Sequence, residues 1–173
     1  MKSYTWVAGA FMLACASMLV APVLAKELPI STHLPDAVDG TFKARFPNAE
    51  ISKLDVTEEN GVMVYDIEFA DGKTEKETDI AEDGTMLEFT LVIDARAIPA
   101  APMKSIRKAA AGARFGRMER IELKYETEDG KVVKLPETQI RFAAELSKGS
   151  KKTEVIVDRS GAVVERPDWG EGK

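Results

Sequence analysis

The sequence has few of the residues that carry most catalytic and metal chemistry. It contains one cysteine, Cys15, and one histidine, His33, in 173 residues. A single cysteine cannot form an intrachain disulfide, and a Cys/His zinc site lacks its ligands. A nucleophile activated by histidine could use only His33, which we interpret as a surface or packing residue. The sequence therefore predicts a protein that is not an enzyme, with no catalytic residue, no cofactor site and no metal site.

An excess of basic charge is also absent. The chain has 24 Lys and Arg against 29 Asp and Glu, a net charge of −5. Nucleic-acid binding requires basic patches, so a nucleic-acid partner is excluded. Some basic residues do cluster, and they are either a solvated surface or a patch for an acidic partner or anionic headgroups. These are Lys104, Arg107, Lys108, Arg114, Arg117 and Arg120.

Long hydrophobic runs are missing except near the N-terminus, at residues 6–20. Val23 and Ala25 then stand at the small-residue positions of a cleavable signal. We predict a signal peptide at residues 1–25, a mature chain that starts at Lys26, and a periplasmic or secreted protein with no membrane span after cleavage. An uncleaved anchor is one alternative, because the run approaches the length that spans a bilayer. A lipoprotein attached through Cys15 is another.

The mature sequence contains one pattern twice. Apolar residues follow Pro35 and Pro102 at helical spacing. Strands that alternate apolar and polar residues come next, with hairpin-type dipeptides such as Asn60-Gly61 between them. The apolar positions of the clearest pair of strands are Met63, Tyr65, Ile67 and Phe69 in the first copy and Ile140, Phe142, Ala144 and Leu146 in the second.

The repeated pattern predicts the fold class. We expect an α+β protein of two tandem repeats, each a helix packed on a four-stranded antiparallel meander. The first repeat would occupy residues 26–94, and the second residues 95–173. The predicted core residues are Phe42, Phe46, Tyr65, Ile67, Phe69 and Phe142.

One insertion distinguishes the copies. The offset between matching strands grows from 67 to 77 residues, which places ten extra residues between Lys124 and Gln139. Asp129-Gly130 is predicted to be the tip of a lengthened hairpin, here called the finger (residues 124–139), and Pro136 to limit its pairing. We expect an exposed extension that binds a partner. A neutral loop insertion is the alternative. The predicted partner-binding residues are Tyr125, Asp129, Lys131 and Val133.

Three segments together resemble a known family. "FPNAEI" ends the first helix, and "VTEENGVMVYDIEFADGK" and "DIAEDGTMLE" follow it. They are similar to the PepSY-like domain of exported bacterial proteins, whose tandem form is related in fold to β-lactamase inhibitor proteins. The resemblance implies helices on antiparallel sheet, export, and binding or inhibition of peptidases or other envelope proteins. It implies no catalytic residues.

Carboxylates are abundant, and one stretch of them partly matches a calcium-binding loop. "DIAEDG" places Asp79 and Asp83 before Gly84, but Ala81 and Thr90 stand where an EF-hand needs ligands. Two functional hypotheses follow. The first is an exported, non-enzymatic protein-binding module with an envelope or extracellular protein as partner, of which an inhibitor is the specific form. The second is a carboxylate-based metal-responsive sensor or enzyme of the periplasm.

Overall fold

The structure is a computed structural model that describes residues 34–170. The predicted signal peptide at residues 1–25, the start at Lys26 and the lone His33 lie outside the described residues. The repeat boundaries proposed above, 26–94 and 95–173, stay predictions. The elements, in chain order, are α1 (Asp36–Arg45), β1 (Glu50–Glu59), β2 (Val62–Asp71), β3 (Thr74–Ala81), β4 (Met86–Val92), a 3₁₀ turn (Ala95–Ala97), α2 (Ala100–Ala110), β5 (Arg114–Glu128), β6 (Lys131–Lys148), β7 (Lys151–Asp158) and β8 (Val163–Glu165).

All eight strands belong to one antiparallel sheet, in the order β1 to β8. The prediction of two tandem repeats, each with its own four-stranded meander, is wrong. Val92 of β4 pairs with Glu119 of β5, and the pairing continues to Glu88 and Leu123. Two separate meanders would leave the facing edges of β4 and β5 unpaired, whereas their pairing satisfies those backbone groups.

Helix α1 begins directly after Pro35, as predicted, because a proline ring suits the start of a helix. Its apolar side packs on β2 and β3 around Ile67, Phe69 and Ile80. The Phe46 ring stacks on Phe89 with 5.5 Å between centroids, and lies 4.5 Å from the Phe69 ring. This group of aromatic rings fixes α1 on one face of the sheet.

Helix α2 packs on the same face, over β5, β6 and β7. Met103, Ile106 and Ala110 meet the side chains of Phe142 and Val155. The helix begins at Ala100, after Pro99, and so it starts earlier than the predicted first turn at Pro102. Proline within the first turn of a helix costs no intrahelical hydrogen bond, so Pro102 does not mark the boundary.

The core prediction is largely confirmed. Phe42, Phe46, Ile67, Phe69 and Phe142 are buried. The remaining predicted core residue, Tyr65, is only half-buried.

The turn between β3 and β4 touches α1 through Gly84. A Cβ atom built on Gly84 would lie 2.8 Å from the carbonyl oxygen of Ala37, and φ at Gly84 is +86°. The hydroxyl of Thr41 donates a hydrogen bond of 2.7 Å to the Gly84 carbonyl. Only glycine combines this φ with so close an approach to a helix backbone.

Candidate functional site: the helix-free face of the sheet

The sheet has one face that carries both helices and one that carries none among residues 34–170. Because side chains alternate along a strand, the neighbours of the buried Ile67 and Phe69 point away from the helices. Those neighbours on β2 are Val64, Asp66 and Glu68. We call the side of the sheet on which these three side chains lie the helix-free face.

Carboxylates form a row across four neighbouring strands of this face. Asp55 of β1 pairs with Asp66 of β2, Asp66 pairs with Asp79 of β3, and Asp79 pairs with Glu88 of β4. Neighbouring strands lie about 4.8 Å apart, so each carboxylate has another one close beside it. Like charges directly opposite each other destabilise a sheet. We call these four residues the acidic row.

More carboxylates flank the acidic row. One step along the strands, Glu68 pairs with Glu77. Glu119 of β5 and Glu154 of β7 extend the negative surface across the sheet, as alternation and register place them on the same face. Glu119 is buried, and Glu154 is half-buried. The face therefore concentrates negative charge where solvent is partly excluded.

Burial raises the pKa values of these carboxyl groups, because desolvation disfavours the charged form. It raises the pKa of Asp66 to about 6, and those of Glu77 and Glu88 to about 7. The pKa of Asp79 also lies well above its ordinary range, for the same reason and because Glu88 is close. Part of the negative charge on this face is therefore titrated near neutral pH.

Two observations mark Asp66 as a place where a ligand could bind. Its Oδ1 atom is buried and has no hydrogen-bond partner among the described residues. Asp66, Glu77 and Asp79 each offer one oxygen, and these atoms lie within 4.8 Å of one another. Such a set can accept donors from a cationic group, and it could also supply oxygen ligands to a divalent cation.

A guanidinium group already occupies one end of the face. Arg117 of β5 donates to Glu77 Oε2 at 3.1 Å and also forms an ion pair with Glu119. At the other end, Lys53 contacts Asp55 and Glu68. The centre of the acidic row, Asp66 and Asp79, makes no salt bridge among the described residues.

The finger closes one end of the face. Tyr125 and Val132 pack on a small apolar cluster that contains Val62, Val64 and Leu87. The tip of the finger meets the β1–β2 hairpin: Gly130 N–H donates to the Asn60 carbonyl at 2.7 Å. The expected exposed extension is therefore exposed on one face only, because the other face of the finger is packed against the sheet.

The predicted partner-binding residues of the finger divide between its two sides. Tyr125 lies on the packed side, whereas Asp129 and Lys131 are exposed near the tip, and Val133 is half-buried on the outer side. Asp129 and Gly130 both have positive φ, which confirms the predicted turn. Pairing is interrupted between Leu123 and Tyr125, opposite the segment that contains Pro136, also as predicted.

The basic residues predicted as one possible patch do not share a surface. Lys104, Arg107 and Lys108 are exposed on α2. Arg117 instead belongs to the helix-free face, and Arg120, which pairs with Leu91, belongs to the face that carries the helices. The cluster in the sequence is thus divided between two sides of the sheet.

Comparison with known proteins supports the fold. No family model and no curated protein matches the sequence. Three solved structures from Bacteroides species are similar. The first is a candidate periplasmic protein of B. eggerthii (TM-score 0.56, 14% identity, covering 78% of this chain and 88% of that one). The second is a DUF2874 family protein of B. ovatus (TM-score 0.54, 14% identity, covering 78% of this chain and 88% of that one). The third is a BLIP-like protein of B. fragilis (TM-score 0.50, 16% identity, covering 82% of this chain and 92% of that one).

These similarities confirm the expected β-lactamase-inhibitor-like fold and do not extend to tandem PepSY-like domains. The predicted periplasmic or secreted location agrees with the description of the B. eggerthii protein. Neither helix within residues 34–170 is long and apolar enough to cross a bilayer.

The acidic row was not predicted, although the sequence contains a pattern that indicates it. The polar positions of β2 and β3 are acidic at Asp66, Glu68, Glu77 and Asp79. A two-residue turn joins Asp71 to Thr74, and that turn length fixes the register that brings Asp66 opposite Asp79. Reading alternation and turn length together would have found the row.

Proposed function

We propose that the protein is an exported, non-enzymatic binding module that holds another envelope or extracellular protein on its helix-free face. The observation that carries the proposal is the acidic row on that face. It retains like charges side by side at a cost to stability, and sites with such arrangements are often functional. The β-lactamase-inhibitor-like fold supports a binding role, and inhibition of a peptidase or another envelope protein is the specific form we propose.

The finger belongs to the proposed contact surface. It forms the wall at one end of the helix-free face, so a partner seated on the face would meet its exposed tip. Asp129, Lys131 and Val133 would contribute to this contact. Tyr125 would support it by packing on the apolar cluster beneath the finger.

Capture from the envelope fraction of the producing cells tests the proposal. The immobilised protein would be compared with Glu68→Arg, on the helix-free face, and with Glu82→Arg, an exposed change of equal charge in the β3–β4 turn. We expect one partner to be retained by the original protein and by Glu82→Arg and to be lost with Glu68→Arg. Equal retention by both variants would contradict a contact on this face. An inhibitor would in addition lower the activity of a captured peptidase.

A metal-responsive sensor or enzyme is the second candidate function, and the spacing of Asp66, Glu77 and Asp79 favours it. A cation that binds only the folded state raises stability, by about 2.7 kcal/mol at a hundred times its dissociation constant. Thermal unfolding with calcium or zinc is the test. A stabilisation that Asp79→Asn removes would support this candidate, and an unchanged midpoint would exclude it.

A further inference from the structure

The helix-free face also indicates the chemistry of what it binds. Its centre is acidic, and the Asp66 Oδ1 atom is buried without a donor from the described part of the chain. A buried acceptor without a partner costs free energy that a donated hydrogen bond from a ligand would recover. A ligand group that suits this position is therefore a hydrogen-bond donor, and the surrounding carboxylates favour a positively charged one.

Arg117 shows which kind of cation the face accommodates. Its guanidinium reaches from β5 across β4 and contacts both Glu77, at 3.1 Å, and Glu119. A planar guanidinium offers several N–H donors and can contact two carboxylates at once. Arg117 holds the position beside the acidic row, while Asp66 and Asp79 at the centre of the row have no such partner within residues 34–170.

We propose that the helix-free face binds an arginine- and lysine-rich segment of the partner protein, and that Arg117 occupies one end of the same site as an internal competitor. This inference rests on the proposed function and names the chemistry of its partner. Charge complementarity supports this occupant, because carboxylates far outnumber basic residues on the face by strand alternation and register. The carboxylates include Asp55, Asp66, Glu68, Glu77, Asp79, Glu88, Glu119, Glu145, Glu154 and Asp158, and the basic residues include Lys53, Arg117, Arg141 and Lys152.

Proton linkage follows from this arrangement. A cationic segment favours the ionised carboxyl groups, so its binding lowers their pKa values and releases protons. Burial raises the pKa values of Asp66 and Glu77 to about 6 and 7. Affinity is therefore expected to rise as the pH increases from 5 to 8.

Binding of a labelled nona-arginine peptide, measured by fluorescence anisotropy at physiological salt, tests the inference. The double variant Asp66→Asn/Asp79→Asn neutralises the centre of the row. Asp36→Asn/Glu82→Gln removes the same charge from exposed positions on α1 and in the β3–β4 turn, away from this face and from the finger. We expect the first pair to weaken binding at least about tenfold and the second less than about twofold, because local contacts outweigh the general field. Equal weakening by both pairs would mean non-specific attraction and would overturn the inference.

Arg117→Gln supplies the second measurement. Removing the internal competitor should leave Glu77 and Glu119 free and tighten nona-arginine binding about threefold or more. Circular dichroism would establish that each variant is folded. If Arg117→Gln does not fold, the Asp66→Asn/Asp79→Asn pair still tests whether the row binds the peptide. Weaker binding by folded Arg117→Gln would overturn the role of competitor.

Two further outcomes separate this inference from the proposed function. If the capture experiment depends on Glu68 but nona-arginine does not distinguish the variants, the face binds a partner of different chemistry and only the cationic segment is wrong. If calcium alone stabilises the protein, the Asp→Asn pair removes that effect and nona-arginine binding is unchanged by the pair, then the row holds a metal ion and the cationic segment is also wrong.

Discussion

Asp66 on β2 lies directly opposite Asp79 on β3, on the face of the sheet that neither helix of residues 34–170 covers. The pair sits inside a row of four carboxylates, and burial raises the pKa of each member of the pair. A sheet stabilised by its cross-strand pairs would place opposite charges or apolar groups at these positions. The arrangement therefore fits the proposed binding role better than a stabilising one.

Neutralising one member of this pair should stabilise the protein. We expect Asp79→Asn to raise the free energy of unfolding by about 1 kcal/mol at pH 8, because it removes repulsion from Asp66 and Glu88. Urea titration would measure the change. Glu137→Gln, an exposed change of the same kind, should stay within about 0.5 kcal/mol. A destabilised Asp79→Asn would indicate that the carboxylate has a favourable partner in the folded protein.

The raised pKa values also predict how stability depends on pH. Burial raises the pKa values of Glu77, Glu88 and Glu154 from 4.5 to about 7. Between about pH 4.5 and 7 the folded state thus holds more protons than the unfolded state, so stability falls as the pH rises through this window. We expect the free energy of unfolding to be higher at pH 5 than at pH 8 by at least about 1 kcal/mol. Urea titrations at the two pH values would check this, and greater stability at pH 8 would contradict it.

The contact between Gly84 and α1 allows a matched comparison of two glycines. Gly84 and Gly72 both have positive φ, but only Gly84 lies against a backbone carbonyl, that of Ala37. Gly72→Ala should cost about 1 kcal/mol from the unfavourable φ alone. Gly84→Ala should cost at least about 2 kcal/mol more, because the turn or the helix must move. Similar losses in denaturant titration would show that α1 does not depend on this close approach.

The contact between the two hairpin tips should contribute to stability. The side-chain amide of Asn60 donates to the Thr127 carbonyl at 2.8 Å and to Thr127 Oγ1 at 3.0 Å. Asn60→Gly keeps a residue that tolerates the positive φ while it removes both donors, and we expect a loss of about 1 kcal/mol. A double-mutant cycle with Thr127→Val would isolate the hydroxyl contact. Additive effects of the two substitutions would mean that this contact is not formed in solution.

Alternation, helical spacing and turn dipeptides predicted the individual elements well. The helix after Pro35 and the Asp129-Gly130 tip both lie where the sequence placed them. These features are local, because they depend on residues a few positions apart. The irregular spacing of the apolar residues Ile51 and Leu54 is local as well, and it coincides with a register shift between Ile51 and Lys53.

Long-range pairing could not be predicted in the same way. The residues of β4 and β5 do not by themselves indicate that Val92 pairs with Glu119. The sequence therefore predicts two separate meanders where the structure has one eight-stranded sheet. The packing of Tyr125 on the cluster around Val62 was missed for the same reason, because it brings together residues more than 60 positions apart. The candidate site is formed by four strands, so predicting it from the sequence also requires the pairing of residues that are far apart in the chain.

Site-specific photo-crosslinking in the producing cells tests the central claim, that the helix-free face is the binding surface, most directly. A photoreactive residue would replace Asp55 or Glu68, which are half-buried on that face. The control positions are on the helices: Asp39, which is half-buried, and Lys108, which is exposed. The account predicts a discrete crosslinked species from Asp55 and Glu68 and none from Asp39 or Lys108. Crosslinks from the helix positions alone would place the partner on the opposite side of the sheet and contradict the account.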